Sequence, residues 1–121
     1  SENPSVVYFS TVAVQLGLPF HSSISASKGA IEGLTRSLAA EYAPKIRFNA
    51  IAPSLTDTPL AASLLSNDKK REANAERNPL KLIGAAQDIA NMCSFLLSQE
   101  SRWMTGQILA VDGGMGSIRP M

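Results

Sequence analysis

Lys28, His21 and the hydroxyls of Ser10 and Thr11 are the residues of this 121-residue chain whose types and spacing could do chemistry. An ammonium, an imidazole and a hydroxyl can each hold or move a proton beside a reacting oxygen. Lys28 lies in the stretch SSISASKGAIEGLTRSLAAEY, residues 22–42, and one helical turn before it stands Ile24. An aliphatic side chain cannot donate a proton at any pH. His21 lies seven residues before Lys28, so a helix extended backward would bring both to one face. Imidazole is a competent acid near neutral pH; the plainer role for His21 is a solvated or capping residue ahead of the helix. Ser22, Ser23 and Ser25 carry hydroxyls too weakly acidic to protonate anything unaided, and capping is their expected role.

The elements that must position these groups follow from pattern. Asn3 and Pro4, after Ser1 and Glu2, read as the end of a loop, an abrupt start for a natural protein. Val6–Phe9 is a β-branched and aromatic run, a buried strand that carries Ser10 and Thr11 at its carboxyl end. Gly17 and Pro19 mark a loop over 12–20. A long helix then runs from a Ser22 or Ser23 cap to about Tyr42 and stops at Pro44. A second strand follows over 46–51, a patchily amphipathic segment over 60–75, a helix over 87–98 and a last strand over 106–111. Strands alternating with helices through short connections predict a parallel sheet covered by helices, an α/β fold.

Within the long helix, Ile24, Ile31, Leu34 and Leu38 are expected to face the sheet. Ala26, Ala30, Gly33 and Ser37 form a second stripe of small residues that would let another backbone approach, either the chain's own sheet or a partner helix. Gly33 costs about 1 kcal/mol of helix propensity relative to alanine, which suggests a packing reason for it.

Bulk properties narrow the class. The length suits one domain, and a net charge of +1 with no long basic run argues against nucleic acid. No apolar run approaches the roughly 18 residues that span a bilayer, and no membrane association or signal peptide is expected. The single cysteine, Cys93, excludes an intrachain disulfide, reads as a buried inert thiol and points to a reducing, cytoplasmic location. No metal site is expected.

Lys28-Gly29-Ala30 followed by a long helix, then Arg47-Phe48-Asn49-Ala50-Ile51-Ala52-Pro53-Ser54, then Trp103–Gln107 and Val111-Asp112-Gly113-Gly114, closely resembles the short-chain dehydrogenase/reductase family. The resemblance implies part of a Rossmann-type doubly wound sheet, three parallel strands with covering helices. It corresponds to the carboxyl-terminal half of such an enzyme. The family's phosphate-binding turn, Gly-x-x-x-Gly-x-Gly after a strand, has no counterpart among these residues, so the 121 residues read as a fragment or one piece of a split protein. Alone they are not expected to hold a nicotinamide nucleotide well.

What the resemblance implies about the site is specific. Family members transfer hydride between NAD or NADP and a carbonyl or alcohol. A tyrosine protonates the developing alkoxide, and a lysine four residues on lowers its pKa and binds the nicotinamide ribose. A serine thirteen residues before the tyrosine hydrogen-bonds the substrate oxygen. Lys28 matches the lysine, Ile24 stands in place of the tyrosine, and Thr11 falls at the serine, with Ser10 the fallback if the register slips by one. Pro53, Ser54, Thr56 and Thr58 fall where the family contacts the cofactor, Ser54 replacing a glycine and Thr56 an aliphatic residue. The function implied is a NAD(P)-dependent oxidoreductase acting on a small carbonyl or alcohol. The alternative is a relative that has lost catalysis, or a truncated remnant, and serves as a binding or assembly subunit. A homo-oligomer joined through helix 22–43 is expected, because the family commonly pairs this helix across a two-fold axis.

Overall fold

The computed structural model describes residues 3–121; the reading of Ser1 and Glu2 as loop lies outside them. Strand β1 (Ser5–Phe9) leads through a turn-rich loop to helix α1 (Ser22–Tyr42), and strand β2 (Arg47–Pro53) follows after a short connection. A two-residue strand β3 (Thr56–Asp57), a 3-10 helix (Pro59–Leu65), helix α2 (Asp68–Arg77) and a two-residue strand β4 (Gly84–Ala85) come next. Helix α3 (Ala86–Leu97), a 3-10 turn (Gln99–Ser101) and strand β5 (Ile108–Val111) complete the chain. The α/β class and the parallel sheet agree with the sequence pattern.

The main sheet has the order β1-β2-β5, all parallel, with Val6 opposite Phe48, Phe9 opposite Ile51 and Ala52 opposite Ala110. β2 is central, and Phe48 to Ala52 are all buried. A strand buried on both faces reads as a continuous run rather than an alternation, and Phe48-Asn49-Ala50-Ile51-Ala52 is such a run. Two polar residues of β2 lock it in place. The Arg47 guanidinium donates to the backbone carbonyls of Leu96, Ser98, Ser101 and Met104 at 2.9–3.3 Å. Asn49, fully buried, donates through Nδ2 to the Met104 carbonyl and accepts from the Gln107 amide through Oδ1. The Arg-x-Asn spacing puts one side chain on the α3 exit and the other on the approach to β5.

Helix α1 differs from expectation in two respects. Its sheet-facing row is Glu32, Thr35 and Ala39, all buried, while Ile24 and Leu34 are 41% and 43% exposed and Ile31 and Leu38 half-buried. Small and hydrogen-bonding residues let this helix sit close to the sheet: the Thr35 hydroxyl is satisfied within the helix by the Ile31 carbonyl at 2.7 Å. Nor does a serine cap it. Ser22 is the first helical residue, His21 occupies the cap position, and no side chain makes the cap bond. The small-residue stripe Ala26, Ala30, Gly33 and Ser37 is exposed, and a Cβ added at Gly33 would meet nothing within 4 Å. Packing within the chain therefore does not explain Gly33.

The amphipathic segment breaks into two helices at Ser66-Asn67, where the Asn67 side chain caps α2 by accepting from the Lys70 amide at 2.8 Å. The last strand starts at Ile108, two residues later than expected, because Gly106 carries a φ of 72° and donates to the Phe48 carbonyl as a turn. Among the described residues no helix is long and apolar enough to cross a membrane.

Candidate active site

Three parallel strands ending on one side bring Ser10-Thr11, Pro53-Ser54 and Asp112 to a common edge, the place where open α/β sheets take ligands. A cavity of about 1370 Å³ opens there. Thr11, His21, Ile24, Pro53, Ser54, Thr56 and Thr58 are among the residues that line it. Much of the remaining wall is apolar, from Phe9, Leu60 and Leu64 to Ile89 and Leu97.

The hydroxyl of Thr11 accepts a hydrogen bond from the Ala13 amide at 3.3 Å. That use of a lone pair leaves the hydroxyl hydrogen to donate into the cavity. Lys28 stands just behind the wall: its Nζ donates to the carbonyl of Phe9, a lining residue, at 3.1 Å. An ammonium has three hydrogens, so two remain for a ligand. Ile24, one turn earlier on α1, faces the cavity with its aliphatic chain. His21 sits exposed on the rim with Nδ1 against the Pro19 carbonyl at 2.8 Å, which leaves Nε2 outward. The backward extension of α1 that would align His21 with Lys28 does not occur, since the helix starts at Ser22.

The loop after β2 is tightly bonded. Ser54 donates to the Asp112 carbonyl at 3.1 Å, and Thr56 donates to the Ser54 carbonyl at 3.0 Å. Thr58 occupies the cap position of the following 3-10 helix without making a side-chain cap bond, and its hydroxyl stays open to the cavity. Among the described residues only Phe20 and Lys81 combine a side chain with positive φ. Ser54 thus needs no glycine conformation, and its side chain has found a structural use. Asp112 turns its own carboxylate to the Gly114 and Gly116 amides, shaping the closing loop beneath Ser54.

Of the residues expected from the sequence, Thr11, His21, Pro53, Ser54, Thr56 and Thr58 line one cavity, and Lys28 adjoins it. Ser10 does not join them. Its side chain is buried and donates to the Glu32 carboxylate at 2.5 Å, turned from the cavity. Cys93, expected to be buried, is half-buried and lies on the cavity wall. Sequence reasoning missed Glu32, because nothing in a helical stretch reveals that a glutamate faces inward. It also missed Asn74 and Arg77 of α2, which reach the cavity rim.

Comparison with known proteins places this geometry. The profile of the family described as enoyl-(acyl carrier protein) reductase matches residues 1–116. The 2-(S)-hydroxypropyl-CoM dehydrogenase 3 of Xanthobacter autotrophicus is 40% identical over 119 residues, covering 94% of this chain and 47% of the relative. The ligand-free aldohexose dehydrogenase of Thermoplasma acidophilum superposes with a TM-score of 0.88 at 37% identity, over 100% of this chain and 51% of that one. The gluconate 5-dehydrogenase of Burkholderia cenocepacia, solved with NADP and tartrate, gives 0.86 at 28% identity, over 95% of this chain and 46% of that one. The chain spans about half the length of the curated relatives it matches. The matched residues take in the strand end at Thr11, the helix of Lys28 and the Arg47–Asn49 lock, and on that footing the chain belongs to the short-chain dehydrogenase/reductase family.

Proposed function

We propose that these residues form the substrate-facing half of a NAD(P)-dependent oxidoreductase, one that moves hydride between the cofactor and a small carbonyl or alcohol. The observation that carries the reading is the meeting of Thr11 and Thr58 at one strand-end cavity, with the Lys28 ammonium held against its wall by the Phe9 carbonyl. The donor set suits the nicotinamide end of such a cofactor: Lys28 has hydrogens to give a ribose, and Thr58 a hydroxyl to give the adjoining phosphate. When bound, the cofactor supplies or accepts the hydride. Thr11 donates to the carbonyl oxygen and holds it, and the apolar wall excludes water around it. Ile24 puts an aliphatic side chain at the proton-donor position, so His21 on the rim or a solvent molecule must protonate the alkoxide.

Ile24 also supports a second reading, a relative that keeps the fold and the cofactor geometry but serves as a binding or assembly subunit. Its side chain fills the donor position while facing the cavity. The experiment is a hydride-transfer assay on the natural gene product containing these residues, with NADH and NADPH against a panel of small carbonyls. Turnover abolished by Thr11→Ala supports the enzyme; cofactor binding without turnover supports the silent subunit.

Self-association belongs to the same proposal. The exposed stripe Ala26, Ala30, Gly33 and Ser37 on α1, with Leu34 beside it at 43% exposure, suits a second copy of the helix packed closely against it.

A further inference from the structure

We propose that Glu32 is a positioning residue for Lys28: its carboxylate fixes Ser10, and through the carboxyl end of β1 it fixes the Phe9 carbonyl that holds the lysine ammonium. The role assigned to Lys28 rests on the oxidoreductase reading above; the brace itself rests on geometry alone.

Glu32 lies one helical turn beyond Lys28 and is 8% exposed; Ser10 is 5% exposed. The Ser10 hydroxyl is 2.5 Å from Glu32 Oε2 and 3.5 Å from the Lys28 carbonyl, so its single hydrogen goes to the carboxylate. One residue back along the strand, the Phe9 carbonyl accepts from Lys28 Nζ at 3.1 Å. Phe9, the last residue of β1, and Ser10 directly after it are therefore tied to two side chains one turn apart, one tie running from helix to strand and the other from the strand end to the helix. The result is a closed ring of Lys28, Phe9, Ser10 and Glu32. On its other side the strand end is held by β2, with the Ser10 amide donating to the Ile51 carbonyl and the Val12 amide to the Pro53 carbonyl.

A carboxylate is a costly way to fill a sheet-facing helix position, which an aliphatic side chain would occupy without desolvating a charge. What the carboxylate adds is a directional acceptor for Ser10. Thr11 follows Ser10 directly, so the same tie sets the strand end that aims the Thr11 hydroxyl into the cavity.

The test is the rate of reductive methylation of Lys28 in the natural gene product, read by peptide mass spectrometry relative to exposed Lys45. Ser10→Ala and Glu32→Leu should raise the Lys28:Lys45 ratio about five-fold, the loss of one hydrogen bond. Glu32→Gln, which keeps an acceptor oxygen, should stay near wild type. A ratio unchanged in Ser10→Ala, or raised as much by Glu32→Gln as by Glu32→Leu, overturns the proposal. Ser10→Ala decides even where Glu32→Leu fails to fold, because it removes one hydroxyl and little volume. Hydride transfer assayed separately on wild type keeps the two ideas apart: its absence sinks the oxidoreductase reading, while the methylation ratio alone decides the brace.

Discussion

Lys28 Nζ donates to the Phe9 carbonyl at 3.1 Å, tying the second turn of helix α1 to the carboxyl end of strand β1. That bond brings a mobile four-carbon side chain to the edge of the cavity that Thr11 and Ile24 line. Substitutions on this turn of α1 therefore act directly on the cavity edge.

Ile24→Tyr should restore a proton donor one turn before Lys28. General-acid catalysis is typically worth roughly 10²–10⁴-fold, and a gain in kcat of that order on a small dicarbonyl is expected in the natural gene product. Steady-state kinetics check it. A wild type already fully active, and disabled by His21→Ala, would assign the donor role to His21 instead.

Arg47→Ala should destabilise the fold by about 2–3 kcal/mol, since it leaves backbone carbonyls at the α3 exit without their charged donor. Arg47→Lys should recover only part of this, because an ammonium cannot span acceptors as the planar guanidinium does. Urea denaturation reads both values.

Asn49→Leu should cost about 1–3 kcal/mol, as it strands the Gln107 amide at a fully buried side-chain position and leaves the Met104 carbonyl with only its Arg47 donor. Equilibrium unfolding measures the loss, with hydrogen exchange at Gln107 as the local probe.

Gly33→Leu and Gly33→Ala separate protomer from assembly. With open space around Gly33, neither change strains the chain itself, and alanine should stabilise the helix by about 1 kcal/mol. If a second copy packs on the small-residue stripe, leucine should overpack that contact and lower the mass seen by light scattering. A mass unaffected by leucine would remove α1 from the interface.

The elements were legible in the sequence where local chemistry decides them. The Val6-Val7-Tyr8-Phe9 run, the stop at Pro44 and the rhythm of Ile89, Met92, Cys93 and Leu96 each fix an element with few alternatives. The orientation of α1 was not legible, because it depends on a partner 22 residues away: Ser10 makes the burial of Glu32 tolerable, and Leu34 is displaced outward. The β3–β4 pairing, two residues on each side, was hidden for the same reason; Thr56 and Gly84 have no local signal that joins them. At the candidate site, resemblance placed Thr11, Lys28 and the Ser54–Thr58 loop in sequence. Only the fold shows that Ser10 turns inward while Thr11 turns to the cavity.

Calorimetric titration with NADH and NADPH, on wild type and Lys28→Ala of the natural gene product, tests the cofactor site most directly. One of the two nucleotides should bind wild type, and loss of the Lys28 donors should weaken it about ten-fold, near 1.4 kcal/mol. The 121 residues alone, which carry no Gly-x-x-x-Gly-x-Gly turn, should bind neither nucleotide at micromolar concentration. Absence of binding to the wild-type gene product, or equal binding by Lys28→Ala, would contradict the assignment of this cavity to a nicotinamide cofactor.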